Sequence, residues 1–309
     1  MKKQFVKSAI ATAVMGVALV AAGSAVAGIA NTKHNLGSAG AGPNKVDGTG
    51  EICVFCHTPH GGDTGAPVPL WNKQLSNPAN FKTYDQLGTS TLDAAISDIG
   101  SVSLACLTCH DGTQAIDNIR NAPGSGGFDA TGGGAIGRTG TGWTWTTDGT
   151  LNADGAFVGS VDTGGTNIWA IGTDLKNDHP ISVQYAGGGY SSANLNAAGG
   201  TRDTDFFPAQ LIVPGVARWY VDNTTMAGNG GSVANTFDKW DFKLYTRVGT
   251  GASDNGATFA TGGASEPFVE CGSCHDPHLE TTTFLRIDPT INGGASNNSS
   301  KVCLTCHNK

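Results

Sequence analysis

All eight cysteines of the chain fall into four C-x-x-C-H segments. They are Cys53-Val54-Phe55-Cys56-His57, Cys106-Leu107-Thr108-Cys109-His110, Cys271-Gly272-Ser273-Cys274-His275 and Cys303-Leu304-Thr305-Cys306-His307. This is the pattern of covalent c-type haem attachment. Two thiols three positions apart can each bond one vinyl group of a single porphyrin, and the next residue places an imidazole under the iron. Two blander readings compete: disulfides in an oxidising compartment, and zinc held by four thiolates from two C-x-x-C units. Neither explains a histidine directly after every pair, and no cysteine is left over.

Four porphyrins require eight axial ligands. His57, His110, His275 and His307 supply the proximal set, and the histidines outside the motifs are His34, His60, His179 and His278. The remaining demand is met one for one. Methionine is the usual competitor, but Met1 and Met15 lie in an apparent leader, leaving only Met226. The economical reading is four haem c groups with bis-histidine, six-coordinate iron and no catalytic residue. His34 could instead be an ordinary surface histidine, and His179, in Asn177-Asp178-His179-Pro180, part of an ordinary turn. His60 and His278 each follow a proximal histidine by three residues, in His57-Thr58-Pro59-His60 and His275-Asp276-Pro277-His278. Three residues span at most ~10 Å, too little to round a porphyrin rim, so each should ligate a neighbouring haem. The expected pairing is His60 with the second haem and His278 with the fourth. His34 and His179 then serve the first and third, and His34, on a free N-terminal arm, is the candidate for donation to an adjacent subunit.

The elements that must position these residues are short. Glycine numbers 46 and proline 12, while charged residues make up 14% and aromatics 7%. Glycine loses the most backbone freedom on ordering, so the expected fold is a multihaem cytochrome c. It is mostly coil, with short helices around the haem motifs and short β-strands in a Gly/Thr-rich central insert. Residues 1–27 read as a signal peptide: Lys2, Lys3 and Lys7, an apolar run, then Ala25-Val26-Ala27. Residues 28–123 form a first haem-pair region, 124–265 a haem-free insert and 266–309 a second haem-pair region, the whole of 28–309 as one integrated unit. Leu92, Ala95, Ile96 and Ile99 predict a helix over Thr91–Gly100, and a further turn carries Leu104 to His110. Trp143 to Trp145, Ile181 to Tyr185, Val216 to Val221 and Trp240 to Tyr245 predict strands whose aromatics pack. Gly132 to Gly137 matches G-x-G-x-x-G formally, but follows no strand and opens no helix, so it is rejected as a dinucleotide site. Asp148, Asn152 and Asp154, or Asp203 and Asp205, read better as turns than as a calcium loop. A formal charge of −7 argues against nucleic acid and anionic lipid surfaces. No membrane span is expected, since the leader's apolar run is short.

The chain resembles the secreted multihaem c-type cytochromes of metal-reducing bacteria. The resemblance is carried by Glu51 to His60, Pro69-Leu70-Trp71-Asn72, Asn177 to Ser182, Cys271 to His278 and Cys303 to Lys309. Within that group it is most similar to the tetrahaem OmcE-type cytochromes that polymerise into extracellular filaments. The resemblance implies closely stacked bis-histidine haems, a haem chain continuous between subunits, and an axial histidine donated across the boundary, here His34. It implies electron transfer as the function. The expected partners are redox proteins, extracellular electron acceptors and further copies of the chain. The expected location is extracellular or the cell surface, with the periplasm as the alternative. A monomeric tetrahaem shuttle is a second reading. A third is a multihaem enzyme with one open iron, which needs one of the four distal histidines to be a bystander.

Overall fold

The computed structural model describes residues 28–123, 127–130, 143–188, 203–212, 218–223, 237–246, 267–287 and 300–308, apart from positions 66, 67, 91, 93, 95, 97, 238 and 282. The signal-peptide segment and the G-x-G-x-x-G stretch lie outside them. As the glycine content requires, regular structure is sparse. Helix α1 covers Ser101–His110, α2 Cys271–Cys274 and α3 Lys301–Cys306. All three end within or at a C-x-x-C-H segment, because one helical turn sets the two thiols on one side of the backbone.

The helix expected over Thr91–Gly100 is not formed at the described positions there. Ile96 instead makes an antiparallel bridge with Val183. Gly100 caps the start of α1 in an extended conformation, φ −157°, rather than stopping a preceding helix. A glycine lacks the Cβ that would favour one reading over the other, so its punctuation was seen and its direction was not. Ala105, Leu104 and Leu107 of α1 are buried, the two leucines packing with Phe81, Ile99 and Leu175.

The insert supplies most of the sheet. Strands β1 (Lys45–Val46) and β2 (Trp145–Thr146) pair antiparallel. Strands β3 (Val183–Gln184), β4 (Gln210–Ile212), β5 (Arg218–Val221), β6 (Phe242–Thr246) and β7 (Pro267–Val269) form one antiparallel sheet in the order β3-β7-β6-β5-β4. Phe242, Leu244 and Thr246 alternate inward along β6, the period of two that a half-buried strand shows. Trp219, Phe242, Leu244, Tyr185 and Ile287 make the largest core cluster, and Cys274, Val302 and Cys306 pack against it. The insert therefore packs against one cysteine of the third segment and one of the fourth, Cys274 and Cys306, both half-buried. Its aromatics pack, as expected.

Trp219 is 0% exposed. Trp219→Ala should destabilise the protein by about 3–5 kcal/mol, read as a shift of the denaturant midpoint by circular dichroism. A midpoint unchanged within error would remove Trp219 from the core's energetics.

Polar groups lock the sheet to the helices. Glu270, between β7 and α2, forms a capping box with Ser273, which satisfies two orphan amides reciprocally. Ser103 of α1 donates to the buried Glu270 carboxylate at 2.6 Å and accepts from the Cys271 amide at 2.9 Å. One hydroxyl thus joins the second attachment segment to the third. The turns suspected of cation binding are closed on themselves. Asp148 accepts from Thr150, Asn152 from the Asp154 and Ala156 amides, and Asp203 from the Asp205 amide.

Candidate metal centres

Three of the four motif histidines are held by the same device. His57, His275 and His307 each form an isolated antiparallel bridge, with Trp71, Leu285 and Phe206. The hydrogen bonds repeat position by position. The residue after the histidine donates its amide to a carbonyl: Thr58 to Leu70 at 2.9 Å, Asp276 to Phe284 at 2.8 Å, Asn308 to Asp205 at 2.6 Å. The cysteine before it accepts: Cys56 from Asn72 at 2.9 Å, Cys274 from Arg286 at 2.8 Å, Cys306 from Phe207 at 2.9 Å. Leu70 and Phe284 occupy equivalent places and share left-handed backbone, φ 56° and 58°. Such a conformation is unfavourable for these residues and persists where its surroundings fix it. The C-x-x-C-H-x-P-H repeat of the sequence is therefore the visible part of a larger structural repeat.

The bridge also settles the tautomers. The Nδ1–H of His57 donates to the Pro69 carbonyl at 2.7 Å, and that of His275 to the Thr283 carbonyl at 2.9 Å. His110, at the end of α1, reaches the same state by another route, donating to the Trp169 carbonyl at 2.8 Å. A carbonyl only accepts, so Nδ1 carries the proton and Nε2 keeps its lone pair for a metal. His278 presents Nδ1 to the Asp276 carboxylate at 3.2 Å.

The rings meet across the chain. His57 and His278 stand 6.3 Å apart between centroids with planes 14° from parallel. His34 and His110 stand 6.2 Å apart with planes at 73°. These separations exceed ring-on-ring contact, where carbon atoms meet at about 3.5–4.0 Å. A metal–imidazole bond is about 2.0–2.1 Å and each ring centre lies about 1.1 Å behind its nitrogen, so two imidazoles on one metal stand roughly 6.3 Å apart. Both pairs have that spacing.

Among the described residues, the His278 ring stands beside His57 of the first segment and the His34 ring beside His110 of the second; the expected pairing placed His278 with the fourth haem and His34 with the first or third. The peptide Asp276-Pro277-His278 does leave its own segment, as the reach argument required, but the destination is set by folding between distant parts of the chain. His34 is no free arm. It is half-buried, and its ring stacks on Phe284 at 4.2 Å. His179 lies within electrostatic range of His307 and His275. His60 is exposed, in a turn fastened by Thr58 and Asn121, and the structure does not bring its ring to a second imidazole among the described residues.

Burial shapes the ligand chemistry. Desolvation, then the neighbouring His110 and His278, lowers the His34 pKa to about 4. Desolvation also lowers His110, His179 and His275. These imidazoles stay neutral, the form that ligates. His278 goes the other way, raised by its hydrogen bond to Asp276. Burial works against ionising Asp276, but His278 and the Arg286 guanidinium at 3.5 Å hold its pKa at about 2. All eight cysteines are free in this structure. Burial pushes the Cys56 and Cys274 thiols up to about 12 and raises Cys109 and Cys306. Their order is informative too: Cys56 interacts with Cys109, Cys106 with Cys271, and Cys274 with Cys303 and Cys306. The four segments follow one another in space as they do in sequence.

Residues that sequence reasoning missed include Trp169, Thr283, Phe284, Leu285 and Phe206. They follow no common residue pattern and no common spacing from their histidines. Pro69 to Asn72 was noticed only through resemblance.

Among comparisons with known proteins, the doubled CXXCH motif family matches residues 266–309. No curated protein matches the chain. The matched span holds the third and fourth segments, and such segments bind c-type haem covalently. The carbonyl-fixed tautomers and the imidazole spacing fit that group. When bound, it supplies an iron that exchanges one electron between ferrous and ferric states. Among the described residues, no helix is long and apolar enough to cross a membrane.

Proposed function

We propose that the chain is an extracellular electron carrier with four haem c groups, each six-coordinate, and that copies assemble into a filament. The observation that carries this reading is the pair of imidazole couples at 6.2 and 6.3 Å. Cys53, Cys56, Cys106, Cys109, Cys271, Cys274, Cys303 and Cys306 form the thioethers. His57 pairs with His278, His110 with His34, and His307 with His179. His275 is then served by His60, and because His60 is exposed and meets no imidazole of its own chain among the described residues, it comes from the neighbouring subunit. His60 replaces His34 as the residue shared between copies. The residues position and insulate; they hold rings at fixed orientation and exclude water from the iron. Saturated coordination leaves no position for a substrate, so the reading is transfer without bond chemistry. Secretion follows from the leader peptide, and redox proteins and extracellular acceptors are the partners.

The test is cyanide binding to ferric protein, with particle size measured in parallel by electron microscopy. Assembled material should bind none. Dissociated chains should bind one equivalent each, at the iron above His275. Stoichiometric binding by assembled material would support the enzyme reading, and discrete small particles that bind none would support the monomeric shuttle.

A further inference from the structure

A buried cation lies between the first two attachment segments. Lys73 is 0% exposed. Its Nζ donates to the carbonyls of Ala115, Ile116 and Asn118 at 3.0, 2.8 and 3.1 Å. Three acceptors use three N–H donors, which only the ammonium form has. Among the described residues, no carboxylate lies within ion-pair distance of it.

The backbone is built to keep it there. Asn72, the preceding residue, donates its amide to Cys56, its side chain to the Val54 and Asn121 carbonyls at 2.6 and 2.9 Å, and accepts from the Arg120 and Asn121 amides. The three carbonyls that hold Nζ belong to the loop leaving His110. One charge is therefore anchored to the first segment by its backbone and to the second by its head group. Its field reaches Cys56 and Cys109, favouring their anionic forms. Asp111 opposes it at Cys109, more weakly.

A lysine held by three carbonyls is an uncommon choice for packing. Removing an ammonium from water carries a large penalty, and a methionine would fill much of the same volume without it. We infer that Lys73 tunes the first two haems, its charge favouring their ferrous over their ferric state. Ferric iron carries one more positive charge than ferrous, and a fixed cation in a low-dielectric surround disfavours the more positive state. This rests on the haem assignment proposed above. The Lys73 head group bonds to backbone carbonyls and acts as a positioning residue for charge.

The experiment compares holoprotein with Lys73→Met and Lys73→Gln. Intact mass and pyridine haemochrome first give the haem count, which tests the assignment independently of the tuning. Potentials are then measured by stepwise oxidation followed through the NMR of haem methyl groups. In both variants the first and second haems should shift toward ferric by roughly tenfold, or about 59 mV for one electron, with the third and fourth unmoved. Lys73→Arg, if loaded, should restore much of the shift. Unchanged potentials in either loaded variant would overturn the inference. So would loss of haem from both, since Lys73 would then serve folding alone.

Discussion

Replacing His278 by alanine should convert one haem per chain from low-spin to high-spin, and that haem should be the first. His278 stands 6.3 Å from His57 with nearly parallel planes, and its Nδ1 faces the Asp276 carboxylate. A carboxylate on the far nitrogen strengthens the imidazole as a ligand. Its loss leaves five-coordinate iron, which gives a stoichiometric high-spin ferric signal by cryogenic electron paramagnetic resonance and one equivalent of carbon monoxide bound on reduction. Identity is read from a second construction. When Cys53, Cys56 and His57 are also replaced by alanine, the new signal should vanish with the first haem. If it persists, His278 serves another iron and the pairing is wrong.

The second large effect concerns folding. Chain produced without haem attachment should show no cooperative thermal transition and a circular dichroism spectrum dominated by disordered backbone. The helices have 10, 4 and 6 residues, and isolated helices shorter than ~12–15 residues are marginal in water. Among the described residues the longest strand has five residues. Three of the four core clusters among the described residues lie against attachment cysteines: Cys56 borders two of them, and Cys274 and Cys306 a third. A porphyrin bonded there adds broad apolar surface. A haem-free preparation that melts cooperatively with a native-like spectrum would show the polypeptide sufficient by itself.

The attachment segments were legible because their chemistry demands adjacent residues. So were the sparse regular structure and the packing of Trp143, Tyr185 and Trp219. Which histidine rings meet was not legible. Reach excluded His278 from its own segment, but nothing local could say that the chain end returns to His57. Glu270 and Ser103 show why: hydrogen bonds and buried surface between distant segments set that return. The bridge partners were hidden for a different reason. Backbone amides and carbonyls make the bridge, so Trp71, Leu285 and Phe206 need no common side chain. Gly100 marked a boundary whose sense only the following α1 determined.

The unequal basicity of the distal imidazoles has a consequence for survival in acid. Hydrogen ions compete with iron for the same nitrogen. Burial handicaps that competitor at His34, whose pKa lies near 4, and at His179. Asp276 helps it at His278. On the proposed haem assignment, a falling pH should therefore open the His278 contact before those of His34 and His179.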